Sequence, residues 1–564
     1  MPSRIPCRIN DLGASSDGSH TLHANKKCEE LRLRAKAIRT SQPEIGFAPE
    51  IRLAAIGTLA SRRVRPENGK PSATPSKRIG RVGLEWGKST CQLPCNMPTE
   101  KTHQPDEKLW RPFLRLAKYL PDEFVEKLEH WHYLVSSFGS DQTPERPVNK
   151  EDRHRFFTLC HDGWKQAQTE ISEFLTTALE AENNLTREAK ECHRQRDKLG
   201  HQALNQRIRQ VGLQIKFSRR MLDVILWTIL KGEHSTLRRL IVAGGQNSLS
   251  PANIREGMAA ANQINKDPLT IALSTDILSL VHVGDLIVAD QNTGQIKFVE
   301  LKSGGKNIEI ARLAAFAVES GCERFEALAT DGFSDTDKDH FSRVKRQTLR
   351  NTQIVDTILN EGGVDPNTGN KVTITPSGEP TEFWNERICA CYEKLTPDKQ
   401  WAIDVIEDCV FLGVYTDQKM AFVGFQSWMK INECESPIFN LMDSFLDPGV
   451  RPLGALDLPK DLRLKILRGE VIVIMCLDVK KLLDLGNKLF PGKFRLASKA
   501  ESASMQKREK RIGSLTLQGR LIAVEAPDST MYIGQGIRDR ILFDQHSPTQ
   551  LLRHQFIPDN SPDS

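Results

Sequence analysis

The sequence predicts an α+β protein, on three observations. Residues 108–243 carry apolar side chains at helical spacing, residues 286–289 and 296–301 are short β-branched runs on either side of a turn, and the stretch beyond 462 alternates strand-like and helix-like patterns. At 564 residues the chain is long enough for about three domains. They are expected at 97–245 as a helical region, at 246–430 as a sheet core flanked by helices, and at 431–564 as a C-terminal α+β accessory region.

The leading segment is read separately. Residues 1–96 hold 17 Lys+Arg against 8 Asp+Glu, whereas the remainder holds 61 against 64. All of the positive excess therefore lies at the start, and any basic groove in the body must be local. The segment shows no sustained helical or alternating period, so it is expected to be a disordered or spurious extension. Charge sign, periodicity and an available Met change together near Met97, which predicts translation from that residue; a disordered arm that binds nucleic acid is the rival reading. It lacks the apolar stretch of a signal peptide, and Asp11, Asp17, Glu29 and Glu30 argue against an acid-poor transit peptide. Gly83-x-x-x-Gly87-Lys88-Ser89 is one residue short of a phosphate-binding loop and follows no apolar strand.

In the helical region, Ile171, Phe174, Leu175, Ala178 and Leu179 form one apolar stripe, and Leu204, Ile208, Val211 and Ile215 another. Between them, Arg187, Lys190, Arg194, Arg196, Lys198, Arg207, Arg209, Lys216, Arg219 and Arg220 outnumber Glu188, Glu191 and Asp197. Such a face is either solvated or able to track phosphates, and a helical hairpin of this kind also offers a surface for homo-oligomers. The most apolar run, residues 221–230, contains Asp223 and is too short to cross a bilayer.

The densest chemistry follows. Ser250 and Pro251 open a helix to about residue 265 that carries Glu256, and residues 277–283 are expected to be the first strand. Asn292-Thr293-Gly294 joins the next two strands as a hairpin. With Asp290 paired to Gln295, or Gln291 to Gly294, Asp285 falls directly opposite Glu300. Side chains alternate along a strand, so Glu300 and Lys302 share a face while Val299 and Leu301 take the other. Two opposed carboxylates destabilise a sheet unless something positive lies between them, and a hard divalent ion such as Mg²⁺ answers that. Lys302 would stabilise negative charge developing on a phosphate. Asp290, by parity, faces the other way.

Asp285, Glu300 and Lys302, with Ser303-Gly304 after them, resemble the motif of the PD-(D/E)XK, or restriction-endonuclease-like, nuclease superfamily. Gly284 stands where that motif has Pro. The resemblance spans roughly residues 250–425 and implies a mixed sheet flanked by helices, with Mg²⁺ (or Mn²⁺) dependent hydrolysis of phosphodiesters. It further implies a metal-assisting role for Glu256 on the upstream helix. On the helix expected over 339–360, it implies substrate contacts by Arg346, Gln347 and Arg350, beside Lys345. The opposing reading for each is a solvated, charged helix face.

Residues 362–381 are expected as a loop, 383–407 as helical with a new start at Pro397, and 409–416 with 420–425 as a hairpin completing the sheet. Residues 447–459 read as a linker, 471–477 as a strand, 479–489 as a helix and 515–524 as short strands. Asp335, Asp337 and Asp339 mimic a calcium loop, but His340 stands at the glycine position, leaving an acidic loop. The 12 cysteines are scattered; Cys91 with Cys95 and Cys389 with Cys391 lack partner pairs at zinc spacing, which favours reduced thiols in a cytoplasmic protein. The expected function is metal-dependent endonucleolytic cleavage of DNA, in restriction, anti-phage defence or repair, with RNA as the other substrate. The alternatives are an inactive nuclease fold that binds nucleic acid or protein, and a helical interaction protein whose motif is coincidental.

Overall fold

The computed structural model describes residues 51–60, 120–143, 149–240, 249–281, 283–360, 362–366, 369, 371–373, 381–508, 513–526 and 529–556. Glycine loop 83–89 and the pair Cys91 and Cys95 lie outside them.

The helical region comprises α1 (Asp122–Ser136), α2 (Phe138–Gln142), α3 (Lys150–Arg194), α4 (Lys198–Ile229) and α5 (His234–Leu240). Helices α3 and α4 pack along each other as a long hairpin. Each starts on an acceptor side chain that satisfies an otherwise orphaned amide: Asn149 accepts from Asp152 N and Asp197 from Gly200 N. Ile171, Leu175, Ala178 and Leu179 are buried as their spacing predicts. In the second stripe only Ile215 is fully buried. No helix among the described residues is long and apolar enough to cross a membrane.

Next come α6 (Pro251–Ile264), with Ser250 accepting from Asn253 N, and a four-stranded sheet in the order β1-β4-β3-β2. Its strands are β1 (Ile51–Ala60), β2 (Thr270–Ser274), β3 (Leu286–Asp290) and β4 (Gln295–Ser303), and every pairing is antiparallel, where the resemblance implies a mixed sheet. Strand β1 lies inside the leading segment that the sequence reading leaves without elements. The first strand of the core is β2, rather than residues 277–283. Ile277, Leu278, Leu280, Val281 and Val283 are buried, but backbone groups of this segment are engaged by α4: Arg219 donates to Asp276 O and Leu278 O, and Ser279 N donates to Asp223. With Leu278 O and Ser279 N taken by side chains, these groups are not available to a ladder. The open edge of β2 is closed in the same way, since Ala272 O accepts from Asn265 and Gln168 while Ala272 N and Ser274 N donate to their amide oxygens.

Helices α7 (Gly305–Ser320), α8 (Glu323–Ala329) and α9 (Asp335–Leu359) follow, with their own cluster around Phe325 and Phe341. The acidic triplet Asp335, Asp337 and Asp339 is the start of α9, capped by Ser334, and not a loop. Negative charge is favourable at a helix N-terminus, which explains the composition. Within 362–381, β5 (Gly362–Val364) pairs with β6 (Lys371–Thr373), and 374–380 lies outside the described residues.

After α10 (Asn385–Tyr392), β7 (Trp401–Ile406) and β8 (Val410–Tyr415) form a hairpin, and α11 (Gln418–Ile431) follows. Two expectations fail here. The turn between Thr396 and Lys399 leads into a strand rather than a helix, and residues 420–425 are helical, with Asp417 accepting from Met420 N. Ala421, Phe425 and Met429 are buried at four-residue spacing, a helical period that the apolar run conceals. A second sheet, ordered β7-β8-β10-β9, adds β9 (Ile438–Asn440) and β10 (Ile472–Leu477), so it runs across the expected boundary at 430. Residues 447–459 are no linker: Val450, Leu453, Leu456 and Leu458 are buried. The chain ends through α12 (Lys460–Leu467), α13 (Val479–Leu489), β11 (Phe494–Leu496), α14 (Lys499–Arg508), β12 (Thr516–Leu517), β13 (Arg520–Ala526), β14 (Ser529–Tyr532), α15 (Gln535–Leu542) and α16 (Pro548–Phe556).

Burial has a consequence for pH. It pushes His132 and His546 down to about 3 and His161 to about 4, and holds His234 well below its usual value. A histidine whose folded pKa is depressed contributes stability above about pH 6.5 and loses it as pH falls toward the folded value. Burial also pushes Asp544 and Asp285 up to about 7, which acts in the opposite sense by favouring the fold at low pH. Fully buried His132 and His161 each withdraw about 2 kcal/mol between pH 6.5 and 4.5. With these four histidines outweighing the raised acids Asp276, Asp285 and Asp544, the urea midpoint should fall over that interval. A flat or rising midpoint would contradict this balance.

Candidate active site

The site is built by the β3–β4 hairpin. Its register runs from Asp290↔Gln295 to Leu286↔Val299, and Asp285 lies one residue beyond the last pair, near Glu300 but with its amide bonded to Val299 O rather than continuing the ladder. Asp285 N donates to Val299 O at 2.8 Å and Leu301 N to Asp285 Oδ2 at 2.6 Å, so both backbone and side chain of Asp285 are tied to β4. Leu286, Val288 and Val299 pack with Ala260 and Ala261 of α6 on one face of the sheet. Ile287, Ala289 and Phe298 take the other, toward the main core, and Asp285, Glu300 and Lys302 share their parity. Asp290 has the opposite parity and holds the turn, accepting from Asn292 N and Thr293 Oγ1.

Gly284 stands where the motif that these residues resemble has Pro. Its φ is +70°, which proline cannot adopt and which other residues adopt only with strain. A Cβ there would also lie 3.1 Å from Val299 O. A proline at this position would open the connection that delivers Asp285 to the strand.

Glu300 is 7% exposed and fully engaged. Lys302 Nζ lies 3.0 Å from Oε2, Gln347 Nε2 donates to Oε1 at 2.8 Å, and Asn351 Nδ2 donates to the same oxygen at 3.3 Å. Residues 347 and 351 are one turn apart on α9, so this helix presents two amides to one carboxylate. Asp285 differs. Burial first, and the Glu300 charge second, push its carboxyl up to about 7, against the pull of the Leu301 amide and Lys302. Asp276, half-buried after β2, adds a smaller negative influence on Asp285 and is itself raised by burial.

These residues suit a hard divalent cation. Both carboxylates supply oxygen donors, Glu300 Oε2 keeps a lone pair beside its bond to Lys302, and the Glu300 charge adds to burial in disfavouring a negative Asp285 unless a cation joins them. Two protein carboxylates, with waters and substrate oxygens, are a common Mg²⁺ complement. Glu256 does not join them. It is exposed on α6, beside Gly257, which packs on Ser274, and no group of three or more acids, histidines or cysteines gathers at metal-binding distance among the described residues.

Of the residues expected to touch substrate, Gln347 reaches the site but contacts Glu300. Arg346 is exposed and Arg350 half-buried on the same helix. Asn351 and Asp276 escaped the sequence reading. The four-residue spacing from Gln347 could have found Asn351; nothing local singles out Asp276, because the fold of β2 against β3 brings it near. Comparison with protein-family models, curated proteins and solved structures finds no match to this chain.

Proposed function

We propose that the protein is a metal-dependent nuclease of the PD-(D/E)XK type that hydrolyses phosphodiester bonds in DNA and acts in the cytoplasm. The observation that supports this reading most directly is Asp285 beside Glu300 across the hairpin with Lys302 two residues on. Asp285 and Glu300 would hold Mg²⁺ or Mn²⁺. Bound there, the ion would lower the pKa of a water and neutralise charge on the phosphate. The Leu301 amide orients the Asp285 carboxylate, while Gln347 and Asn351 fix that of Glu300, so both are positioned before substrate arrives. Lys302, now paired with Glu300, would contact the phosphate or the attacking water and stabilise charge developing there.

The test is cleavage of single-stranded DNA, duplex DNA and RNA by the purified protein, with Mg²⁺, with Mn²⁺ and with chelator. Cleavage that survives chelation would sink the reading, and cleavage of RNA alone would reassign the substrate.

The basic hairpin bears on substrate binding. Arg219 and Arg220 are buried and bind backbone carbonyls, but Arg187, Lys190, Arg194, Arg196, Lys198, Arg207, Arg209 and Lys216 are exposed on α3, α4 and the turn between them. Replacing Arg194, Arg196, Arg207 and Arg209 with Gln should weaken DNA binding on every sequence and lower the slope of log K against log salt by roughly 0.9 for each duplex phosphate no longer neutralised. An unchanged slope would return them to a solvated surface.

A further inference from the structure

Two sulfurs meet where α11 returns to the second sheet. Asn432 ends that helix, Glu433 turns the backbone at φ +53°, and Cys434 N donates to Met429 O at 2.9 Å. Cys476 stands on β10, which pairs with β8 on one side and β9 on the other. Side chains alternate along β10, and Ile472, Ile474 and Cys476 enter the apolar cluster formed with Ala421, Phe425 and Met429 of α11. The two Sγ atoms lie 3.6 Å apart, although the residues are 42 positions apart in the chain.

The surroundings hold this contact in place and differ for the two thiols. Cys476 Sγ donates to Ser436 O at 3.5 Å, Ser436 Oγ accepts from Val479 N at 3.3 Å, and Cys476 pairs with Ile438 in the ladder, so residues 434–438 are fixed against the end of β10. Cys476 has no exposure, whereas Cys434 is 9% exposed and sits between exposed Glu433 and Glu435. The contact with Cys476 lowers the Cys434 thiol to about 7, against burial and the Asp478 carboxylate, and the same contact raises Cys476. One sulfur is therefore reachable and able to ionise, while the other is buried, protonated and touching it. A disulfide needs its sulfurs at about 2.05 Å. Cys434 lies in the connection between α11 and β9, so it can supply that approach without breaking the ladder of β10.

We propose that Cys434 and Cys476 are a peroxide-sensitive pair that closes to a disulfide and fastens α11 to β10. The Cys434 thiolate attacks one oxygen of hydrogen peroxide, the O–O bond breaks, and hydroxide leaves with the bonding pair and takes up a proton to become water. Cys434 is then a sulfenic acid. The Cys476 sulfur attacks the Cys434 sulfur, the S–O bond breaks, and the hydroxyl leaves as water with the proton from Cys476. The two thiols have given up two electrons and two protons, and peroxide has become two waters. The new bond closes a loop of chain that contains Ser444 and Val450, the residues whose carbonyls Arg220 binds, and a closed loop restricts the unfolded chain. The pair uses none of the residues assigned to cleavage and stands or falls independently of them.

In the test, the full chain is reduced, desalted and treated with hydrogen peroxide, its remaining thiols are blocked with N-ethylmaleimide in urea, and its peptides are read by mass spectrometry without reduction. A peptide joining Cys434 to Cys476 is expected, in about tenfold or greater excess over protein oxidised in urea, because the fold holds the sulfurs together. Cys476→Ser keeps the size of the side chain and removes the second thiol, so Cys434 should stop at the sulfenic acid and be trapped by dimedone. Cys434→Ser should leave Cys476 unoxidised. Oxidised wild type should unfold at a higher urea midpoint, and dithiothreitol should reverse the gain. Failure to find the joined peptide in folded protein, equal amounts from folded and unfolded protein, oxidation of Cys476 in Cys434→Ser, or an unchanged midpoint overturns the proposal.

Discussion

Asp285→Asn is expected to reduce Mg²⁺-dependent cleavage by about 10²-fold or more, while leaving the protein folded. Asparagine keeps an oxygen able to accept the Leu301 amide, so the hairpin contact survives and what disappears is the negative charge that helps hold the ion. Glu300→Gln should give a similar loss. Lys302→Ala should abolish turnover yet leave Mg²⁺ binding largely intact, because its contribution lies in the transition state. Asp290→Ala is the control: it removes the acceptor for Asn292 N and Thr293 Oγ1 and so loosens the turn, but on the opposite face it should retain cleavage. Equal losses at Asp285 and Asp290 would contradict the proposed roles. Continued metal-dependent cleavage by the Asp285→Asn, Glu300→Gln double variant would remove the active site from this hairpin.

The largest loss of stability is expected at Arg220→Met. This guanidinium is 1% exposed, lies 2.8 Å from Asp223 Oδ2, and donates to Ser444 O at 3.1 Å and Val450 O at 2.8 Å. Asp223, also fully buried, accepts from Ser279 N. Together they join α4 to residues 277–283 on one side and to residues 444–450 on the other. Methionine fills similar volume but leaves the Asp223 charge without its cation and two buried carbonyls without this donor, at a cost of about 3–5 kcal/mol. Urea unfolding would read this as a lower midpoint. The exposed Arg207→Met should stay within about 0.5 kcal/mol of wild type. A similar small change at Arg220 would mean that this pair does not join the helical region to the rest.

Much of the fold was legible because local rules and tertiary packing agreed. The apolar stripe of α3, the Ser250 cap and Pro251 of α6, the Asn292-Thr293-Gly294 turn and the strand at β10 each carry their signal within a few residues. The candidate site belongs to this class. Alternation and a short turn suffice to place Asp285 beside Glu300, since register in a hairpin follows from its turn.

Other elements were decided at a distance. Residues 277–283 have the composition of a strand but spend their backbone groups on Arg219 and Asp223, which lie more than 50 positions earlier in the chain. Residues 447–459 have the Pro and Gly content of a linker, yet Arg220 binds their carbonyls and their leucines enter the core. Glu256 sits on the helix that was expected, but the packing of Gly257 on Ser274 turns that part of α6 so that Glu256 remains exposed.

By itself, the sequence determined the α+β class, the helical hairpin and the neighbouring pair Asp285 and Glu300, because each depends on the period of side chains along one helix or two strands joined by a tight turn. Tertiary structure alone decided that Gln347 and Asn351 hold Glu300 and that β8 and β10 share a sheet across the expected boundary. These depend on contacts between segments far apart in the chain, whose encounter is set by burial of the core, and no local pattern encodes which distant partner a buried polar group will meet.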